Sequence, residues 1–285
     1  MTDRVHIYEV GPRDGLQNEA GVIAVEDKIA LIDHLLASGV YTVEVGSFVS
    51  PKWVPQMADT DRVLKGIASG AARTSVLIPN MRGWQGYLAT GVRVDEIAVF
   101  ISASEGFSRA NLNCTIAESV DRLAPVVAEA AAAGIALRGY ISCVTDCPYD
   151  GPTAPEAVLA AAHRLRALAP MPLSLGDTIG KGRPERVGAL LDLLVTELPV
   201  ADLAGHFHDT DGRALQNIEA ALHRGVRTFD SSVGGLGGCP YAPGAPGNAA
   251  TEEVVGFLHD LGLETGIDPE ELARAGALAR GMRHV

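Results

Sequence analysis

Cysteine, aromatic residues and positive charge are all scarce in this chain of 285 residues. Four cysteines in so long a chain are too few for a disulfide framework. Cys143 and Cys147 have three residues between them, whereas zinc and redox hooks usually have two. We predict that these two and Cys114 are thiols of the core or of loops. The formal net charge of −12, with no basic run or series of stacking aromatics, excludes a nucleic-acid-binding protein.

Long apolar runs are absent as well. No uninterrupted apolar stretch reaches the length that spans a bilayer. The first six residues, MTDRVH, lack the apolar segment of a signal peptide. We therefore predict a cytoplasmic protein without membrane contact. Apolar residues still make up 47% of the chain, which is enough for a large core, and we expect one domain over residues 1–285.

Short runs of branched residues alternate with longer amphipathic stretches along the whole chain. The strands are predicted at 5–10, 42–46, 74–78, 96–101, 136–143, 173–176, 202–208 and 228–232. The helices are predicted at 25–37, 115–133, 154–168, 184–198, 214–224 and 251–261, with a last one at 269–282. This alternation indicates parallel strands with right-handed crossovers. Eight units at this length favour a (β/α)8 TIM barrel with an additional C-terminal helix, and an open doubly wound sheet is the alternative.

The most informative segment is AGHFHDT at 204–210. Residues two apart in a strand point to the same side, so His206 and His208 direct two imidazoles to one point and Phe207 turns away. Two imidazoles at a strand end form half of a metal site. The alternative is one buried and one surface histidine.

Other unusual polar residues fall where the predicted barrel strands end. In a barrel of this type the chemistry lies at the C-terminal ends of the strands. The residues are Arg13 and Asp14 after the first strand, Glu44 in the second, Asp177 after the sixth, and Cys239 and Asn248 after the eighth. Their clustering at one face predicts an active site.

The two histidines and two of these residues form a candidate set of metal ligands. The carboxylate of Asp14, the imidazoles of His206 and His208 and the amide of Asn248 suit a divalent ion such as Mg²⁺, Mn²⁺ or Co²⁺. Such a set leaves about two positions of an octahedral shell open for substrate oxygens. Asn248 is alternatively a helix cap, and Asp14 is alternatively a turn residue.

The remaining four have catalytic and structural interpretations. Arg13 suits a developing oxyanion, and Glu44 is its expected partner, although an ordinary buried ion pair is equally compatible. Asp177 is alternatively a turn residue after Gly176. Cys239 lies on a loop with four glycines, which could move and deliver a proton, or it is a small structural residue. That loop lacks the Lys-Ser/Thr of a P-loop, so a phosphate cradle of that kind is excluded.

Five motifs together resemble the 3-hydroxy-3-methylglutaryl-CoA lyase family, within the DRE-type TIM-barrel metallolyases. They are EVGPRDGLQNE at 9–19, SFVSPKWVPQM at 47–57, SLGDTIG at 174–180, HFHDT at 206–210 and GLGGCPYA at 235–242. The resemblance spans nearly the whole chain. It implies a lyase that uses Mg²⁺ or Mn²⁺ to cleave 3-hydroxy-3-methylglutaryl-CoA into acetoacetate and acetyl-CoA by retro-Claisen chemistry, and that forms a homodimer.

The resemblance also implies roles. Asp14, His206, His208 and Asn248 match the family's metal ligands, Arg13 its catalytic arginine, Cys239 its loop cysteine, Glu44 and Asp177 its active-site carboxylates, and Asn111 a contact to CoA. The general base is His206 or Asp14. Three positions depart from the family pattern, because Ala20, Ala110 and Pro243 stand where basic residues are common. A related lyase or aldolase, acting on another 3-hydroxy-acyl-CoA or a hydroxy-keto acid, is therefore the alternative function.

Overall fold

Eight parallel strands form a closed barrel in the computed structural model, which describes residues 3–19, 21–68, 72–239 and 242–283. The barrel strands are β1 (His6–Glu9), β2 (Thr42–Ser47), β3 (Arg73–Leu77), β4 (Glu96–Ser102), β5 (Ala136–Ser142), β6 (Leu173–Asp177), β7 (Leu203–Phe207) and β8 (Thr228–Ser231). Around the barrel the order is β1, β8, β7, β6, β5, β4, β3, β2, and β2 pairs with β1 again. The predicted TIM-barrel class is confirmed.

Helices surround the barrel and bury their apolar faces against it. They are α1 (Val25–Ala37), α2 (Thr60–Gly66), α3 (Met81–Thr90), α4 (Glu105–Leu112), α5 (Ile116–Ala132), α6 (Pro155–Leu168), α7 (Pro184–Leu194), α8 (Ala214–Leu222), α9 (Thr251–Asp260) and α10 (Pro269–Met282). The main core lies between the two layers. The additional C-terminal helix, α10, follows the eighth strand–helix unit and packs against α1. Within the described ranges, no helix is both long and apolar enough to cross a membrane.

Three helices, α2, α3 and α4, are not predicted by the sequence pattern. α2 and α4 are short, and α3 contains Gly83 and Gly86, which weaken helix propensity and blur its apolar face. The ends of α3 carry clear signals, however. The side chain of Asn80 accepts a hydrogen bond from the Gly83 N–H, and Gly91 adopts the left-handed conformation after the last turn.

Several predicted elements extend beyond their observed ends, including the fifth strand and the helix predicted at 184–198. The fifth strand ends at Ser142, because Cys143 has a φ of +61° that a strand cannot continue. The helix predicted to reach residue 198 ends at Leu194. Both errors lie at element ends and do not change the topology.

The barrel interior is unusually polar. A strand residue that points inward in a TIM barrel is ordinarily a branched aliphatic one. Here Tyr8, Glu96, Arg138 and Asp230 are all buried and in contact with one another along the interior. Because a buried charge is costly unless it is paired, these residues form a connected network that leads to the mouth of the barrel.

Candidate active site

A wide helical turn carries the first two site residues. The turn spans Gly11–Gly15, and the backbone N–H groups of residues 13–15 all donate to the carbonyl of Val10, at 2.7–3.2 Å. A Cβ on Gly15 would lie 2.7 Å from the Cβ of Leu236, so only glycine allows the turn to approach the loop after β8 this closely. The turn therefore holds its charged side chains at the barrel mouth.

Arg13 is anchored by two carboxylates. Its Nε donates to Glu44 Oε2 at 2.6 Å, and Nη1 contacts Asp14 Oδ1 at 2.5 Å. The hydroxyl of Tyr140 donates to the same Oε2 atom at 3.2 Å. Burial alone would lower the pKa of Arg13, but the charges of Glu44 and Asp14 raise it above its usual value. The structure thus contains the expected Arg13–Glu44 pair, with a permanently charged guanidinium held at the mouth.

The two histidines converge on Asp14. His206 is on β7 and His208 follows it directly, and their Nε2 atoms lie 3.2 Å apart. The ligand atoms of Asp14, His206 and His208 all lie within 4.8 Å of one another. Phe207 is buried in the apolar core, as the predicted alternation requires. Both histidines are buried, so the alternative of one surface histidine is wrong.

The side chains of this cluster shift one another's pKa values. Burial opposes ionisation of Asp14, but Arg13 and the two histidines lower its pKa below the usual value. Burial would lower the pKa of His206, but the hydrogen bond from its ring to Asp230 raises it overall. Burial, together with the charge of His206, lowers the pKa of His208 to about 4. At neutral pH the cluster therefore holds an anionic carboxylate and a neutral His208.

Asn248 joins the same cluster from the loop after β8. Its Nδ2 donates to Asp14 Oδ2 at 3.0 Å and to the carbonyl of Leu236 at 3.3 Å. Its backbone pairs with that of His208 as an isolated bridge. The residue before α9 is Ala250, which makes no side-chain cap, so the alternative of Asn248 as a helix cap is wrong. The amide oxygen can reach the Nδ2 position by a half-turn of the amide group.

The other predicted site residues have different contacts or lie outside the described side chains. Asp177 ends β6, and its carboxylate accepts from the Thr145 hydroxyl at 2.6 Å and the Gly182 N–H at 2.9 Å. Its neighbour across the β6–β7 register is Phe207, not His206. Asn111 lies exposed in the last turn of α4. The side chain of Cys239 is outside the described residues.

A model of the HMGL-like family matches residues 4–279. The chain belongs to the HMGL-like family. It is 53% identical over 274 residues to the hydroxymethylglutaryl-CoA lyase of Pseudomonas mevalonii, across 95% of this chain and 90% of that one. It is 50% identical to the 3-hydroxy-3-isohexenylglutaryl-CoA/hydroxymethylglutaryl-CoA lyase of Pseudomonas aeruginosa, across 97% and 92% of the two chains.

Solved structures agree with this membership. The crystal structure of the HMG-CoA lyase from Brucella melitensis superimposes with a TM-score of 0.96 at 54% identity, over 99% of both chains. The resemblance to this family, the barrel and the enzyme class of lyase, all predicted from the motifs, are thereby confirmed. The roles of individual residues stay predictions.

Sequence reasoning missed several residues that shape this HMGL-like site. Asp230, on β8, accepts from the His206 ring at Nδ1 (3.2 Å), and Gln17 donates to Asp14 Oδ1 at 2.9 Å. Tyr140 lies beside Arg13, whose Cζ is 5.5 Å from the ring centre. Glu44 was found because a charge within a barrel strand needs a partner. The same argument, applied to Asp230 on the eighth strand, would have found it.

The donor set suits a divalent cation. Two ring nitrogens 3.2 Å apart, beside an ionised carboxylate, place three potential ligand atoms around one point. The other ring nitrogen of His206 is engaged by Asp230, which leaves Nε2 as its free ligand atom. This geometry makes Asp14, His206 and His208 a candidate metal centre of mixed nitrogen and oxygen donors, which hard and borderline ions prefer.

Proposed function

We propose that this chain cleaves 3-hydroxy-3-methylglutaryl-CoA into acetoacetate and acetyl-CoA. The observation that carries the proposal is the convergence of Arg13, Asp14, His206 and His208 at one barrel mouth. The identity of 53% to the lyase of Pseudomonas mevalonii supports the choice of substrate, because it extends over 95% of the chain.

The residues proposed to hold a divalent cation are Asp14, His206, His208 and Asn248. A bound Mg²⁺ or Mn²⁺ would supply Lewis-acid chemistry, which lowers the pKa of a coordinated alcohol and is worth several kcal/mol. Asn248 enters this set through its amide oxygen. Its present bond to Asp14 keeps the amide within reach of that role.

The first chemical event is removal of the proton from the tertiary hydroxyl of the substrate. His206 and Asp14 are the two candidate bases. Asp14 is a weak base, because Arg13, Gln17 and Asn248 all donate to its carboxylate. His206 can take the proton only while its Nε2 holds no cation, because its other ring nitrogen, Nδ1, bonds Asp230.

The carbon–carbon bond between the carbinol carbon and the thioester α-carbon then breaks. The alkoxide oxygen becomes the ketone of acetoacetate, and the bonding electrons pass to the enolate of acetyl-CoA. Arg13, oriented by Glu44, neutralises the enolate oxygen. The thiol of Cys239 is proposed to protonate the enolate carbon, which completes acetyl-CoA. Asp177 is proposed to position the loop after β6, since Thr145 and Gly182 both bond to it.

Recognition of coenzyme A is proposed to involve Asn111, whose exposed position on α4 leaves it open to a ligand. Ala110 beside it carries no charge for a phosphate. A homodimer and a cytoplasmic location stay predictions.

An assay of acetoacetate release from 3-hydroxy-3-methylglutaryl-CoA tests the proposal. We expect turnover that EDTA abolishes and that added Mg²⁺ or Mn²⁺ restores. Release of acetoacetate at an unchanged rate in EDTA would contradict the metal-assisted route. The same assay, read as acetyl-CoA release, should include 3-hydroxy-3-isohexenylglutaryl-CoA, because the Pseudomonas aeruginosa relative is named for both substrates. A higher kcat/KM for the bulkier thioester would favour the alternative function.

A further inference from the structure

Within the barrel, an ion pair stands directly behind one ligand of the candidate metal centre. Asp230, on β8, contacts Arg138, on β5, through Oδ1. The other carboxylate oxygen, Oδ2, accepts from the Ser174 hydroxyl at 2.6 Å and from His206 at Nδ1, 3.2 Å away. All four side chains are buried, so no bulk water competes for these bonds.

Arg138 is itself fixed from the opposite side. Its Cζ lies 3.8 Å from the ring centre of Tyr8 and 5.4 Å from that of Tyr140, which places the guanidinium against two aromatic faces. The hydroxyl of Tyr8 donates to Glu96 at 2.9 Å, so the tyrosine is held in turn. A charge-assisted bond from such a clamped cation keeps the carboxylate of Asp230 ionised and in one orientation.

An ionised carboxylate can only accept hydrogen bonds. A neutral imidazole has one N–H and one lone pair, so a carboxylate facing Nδ1 requires the proton to be on Nδ1. The lone pair is then on Nε2, which is the atom directed at His208 and Asp14. His208 has no comparable support, because its Nδ1 has no hydrogen-bond partner within the described residues.

We propose that Asp230 and Arg138 are positioning residues for the metal site, acting through His206: they fix its tautomer before any cation binds. The inference rests on the proposed metal function of His206, but its central claim concerns the metal-free protein. Neither residue belongs to the proposed ligand set. Their effect is that one ligand is already in its binding form, so binding does not have to bear the cost of selecting that form.

The variant Asp230→Asn tests this directly. With its amide oxygen toward Arg138, the new NH₂ group faces His206 and requires a lone pair on Nδ1, which moves the ring proton to Nε2 and blocks that ligand atom. We expect Mn²⁺ affinity, measured by calorimetric titration of the metal-free protein, to fall about 10–100-fold. The matched control is Asp59→Asn, the same substitution in another ion pair, because the carboxylate of Asp59 bonds Lys28 and lies outside the network that ends at His206. Its affinity for Mn²⁺ should equal that of the wild type.

Nitrogen-15 NMR of the labelled histidine rings reads the tautomer without metal. At a pH where the ring is neutral, the metal-free wild type should show His206 protonated on Nδ1, and Asp230→Asn should show it on Nε2. If the single variant does not fold, the charge-balanced double variant Arg138→Met/Asp230→Asn replaces it, since exchanging a buried ion pair as a unit is better tolerated than breaking it. That variant also lacks the carboxylate and should lose the Nδ1–H preference.

Two results would overturn the inference: a wild-type His206 protonated on Nε2, or equal losses of Mn²⁺ affinity in Asp230→Asn and Asp59→Asn. Failure of the proposed function looks different. In that case the wild type binds no Mn²⁺, and the tautomer measurement alone decides the role of Asp230.

Discussion

The buried carboxyl group of Glu9 is expected to make the fold less stable as the pH rises from about 4.5 to about 7. Glu9 is the last residue of β1 and is fully buried. Its Oε1 accepts from the backbone N–H groups of Gly11 (2.7 Å) and Val233 (2.9 Å), and Oε2 contacts the Thr251 hydroxyl at 2.6 Å. It therefore ties the arginine turn to the loop after β8 and to the start of α9.

Burial raises the pKa of Glu9 from 4.5 to about 7, although its three hydrogen bonds act in the opposite direction. Between these two pH values the folded protein holds a proton that the unfolded chain has lost. The contribution of Glu9 to the free energy of unfolding therefore falls with rising pH across this window and is level on either side of it. A shift of about 2.5 units at 1.36 kcal/mol each gives a total loss of roughly 3 kcal/mol. The protonated form is well accommodated, because the Thr251 hydroxyl can accept as well as donate.

The variant Glu9→Gln isolates this effect, because glutamine has the shape and hydrogen-bonding groups of the protonated acid and does not titrate. The free energy of urea unfolding is measured from pH 4.5 to 8 in EDTA, since metal binding would add its own pH dependence. The free energy of unfolding of the variant, relative to that of the wild type, should increase with pH up to about pH 7. The control is Glu118→Gln, on the surface of α5. Its difference in unfolding free energy from the wild type should not change above pH 5, because hydrogen bonds from Thr115 lower the pKa of Glu118. A flat difference for Glu9→Gln would refute the reasoning.

Three further predictions concern the site. Asp14→Asn should lower Mn²⁺ affinity more than 100-fold, since loss of a residue that only supports a ligand costs roughly 10–100-fold. Wild-type affinity in calorimetry would remove Asp14 from the ligand set. Cys239→Ser should lower turnover about 10²–10⁴-fold and leave Mn²⁺ binding unchanged, so a wild-type rate would exclude the thiol as the proton donor. Glu44→Gln should lower kcat by roughly 10²–10³-fold with little change in KM, because Arg13 loses its main anchor; an effect confined to KM would assign Glu44 to substrate binding.

Much of the fold could be predicted because the signals are local. The alternation of branched strands and amphipathic helices defines a (β/α)8 barrel, and the rule that strand ends carry the chemistry brings Arg13, Asp14 and the two histidines together. The spacing of His206 and His208 gave their common direction, since side chains two apart in a strand share a face. The assignment of Asn248 depends on its position after the eighth strand and on the family resemblance, not on its helical context.

What could not be predicted depends on register between strands. Asp177 follows a glycine at a strand end, and the chain alone does not say which face of the sheet it takes. The pairing of β6 with β7 puts it level with Phe207, so its side chain bonds to Thr145 and Gly182. The sequence does not reveal the role of Asp230 because its partner is distant along the chain. Its partner Arg138 is 92 residues away in sequence, and only barrel closure brings β5 and β8 to opposite sides of one interior.

The polarity of the barrel interior is better explained by the site than by stability. A buried ion pair is on average no more stabilising than well-packed apolar residues of the same volume. Arg138, Asp230 and Glu96 nevertheless occupy positions where a barrel ordinarily has branched aliphatic side chains. The network they form ends at His206, and Arg13 reaches the same interior through its bonds with Glu44. The simplest physical reason to keep such a network is that the proposed metal ligand and the proposed catalytic cation both need fixed charges behind them, which an aliphatic core cannot provide.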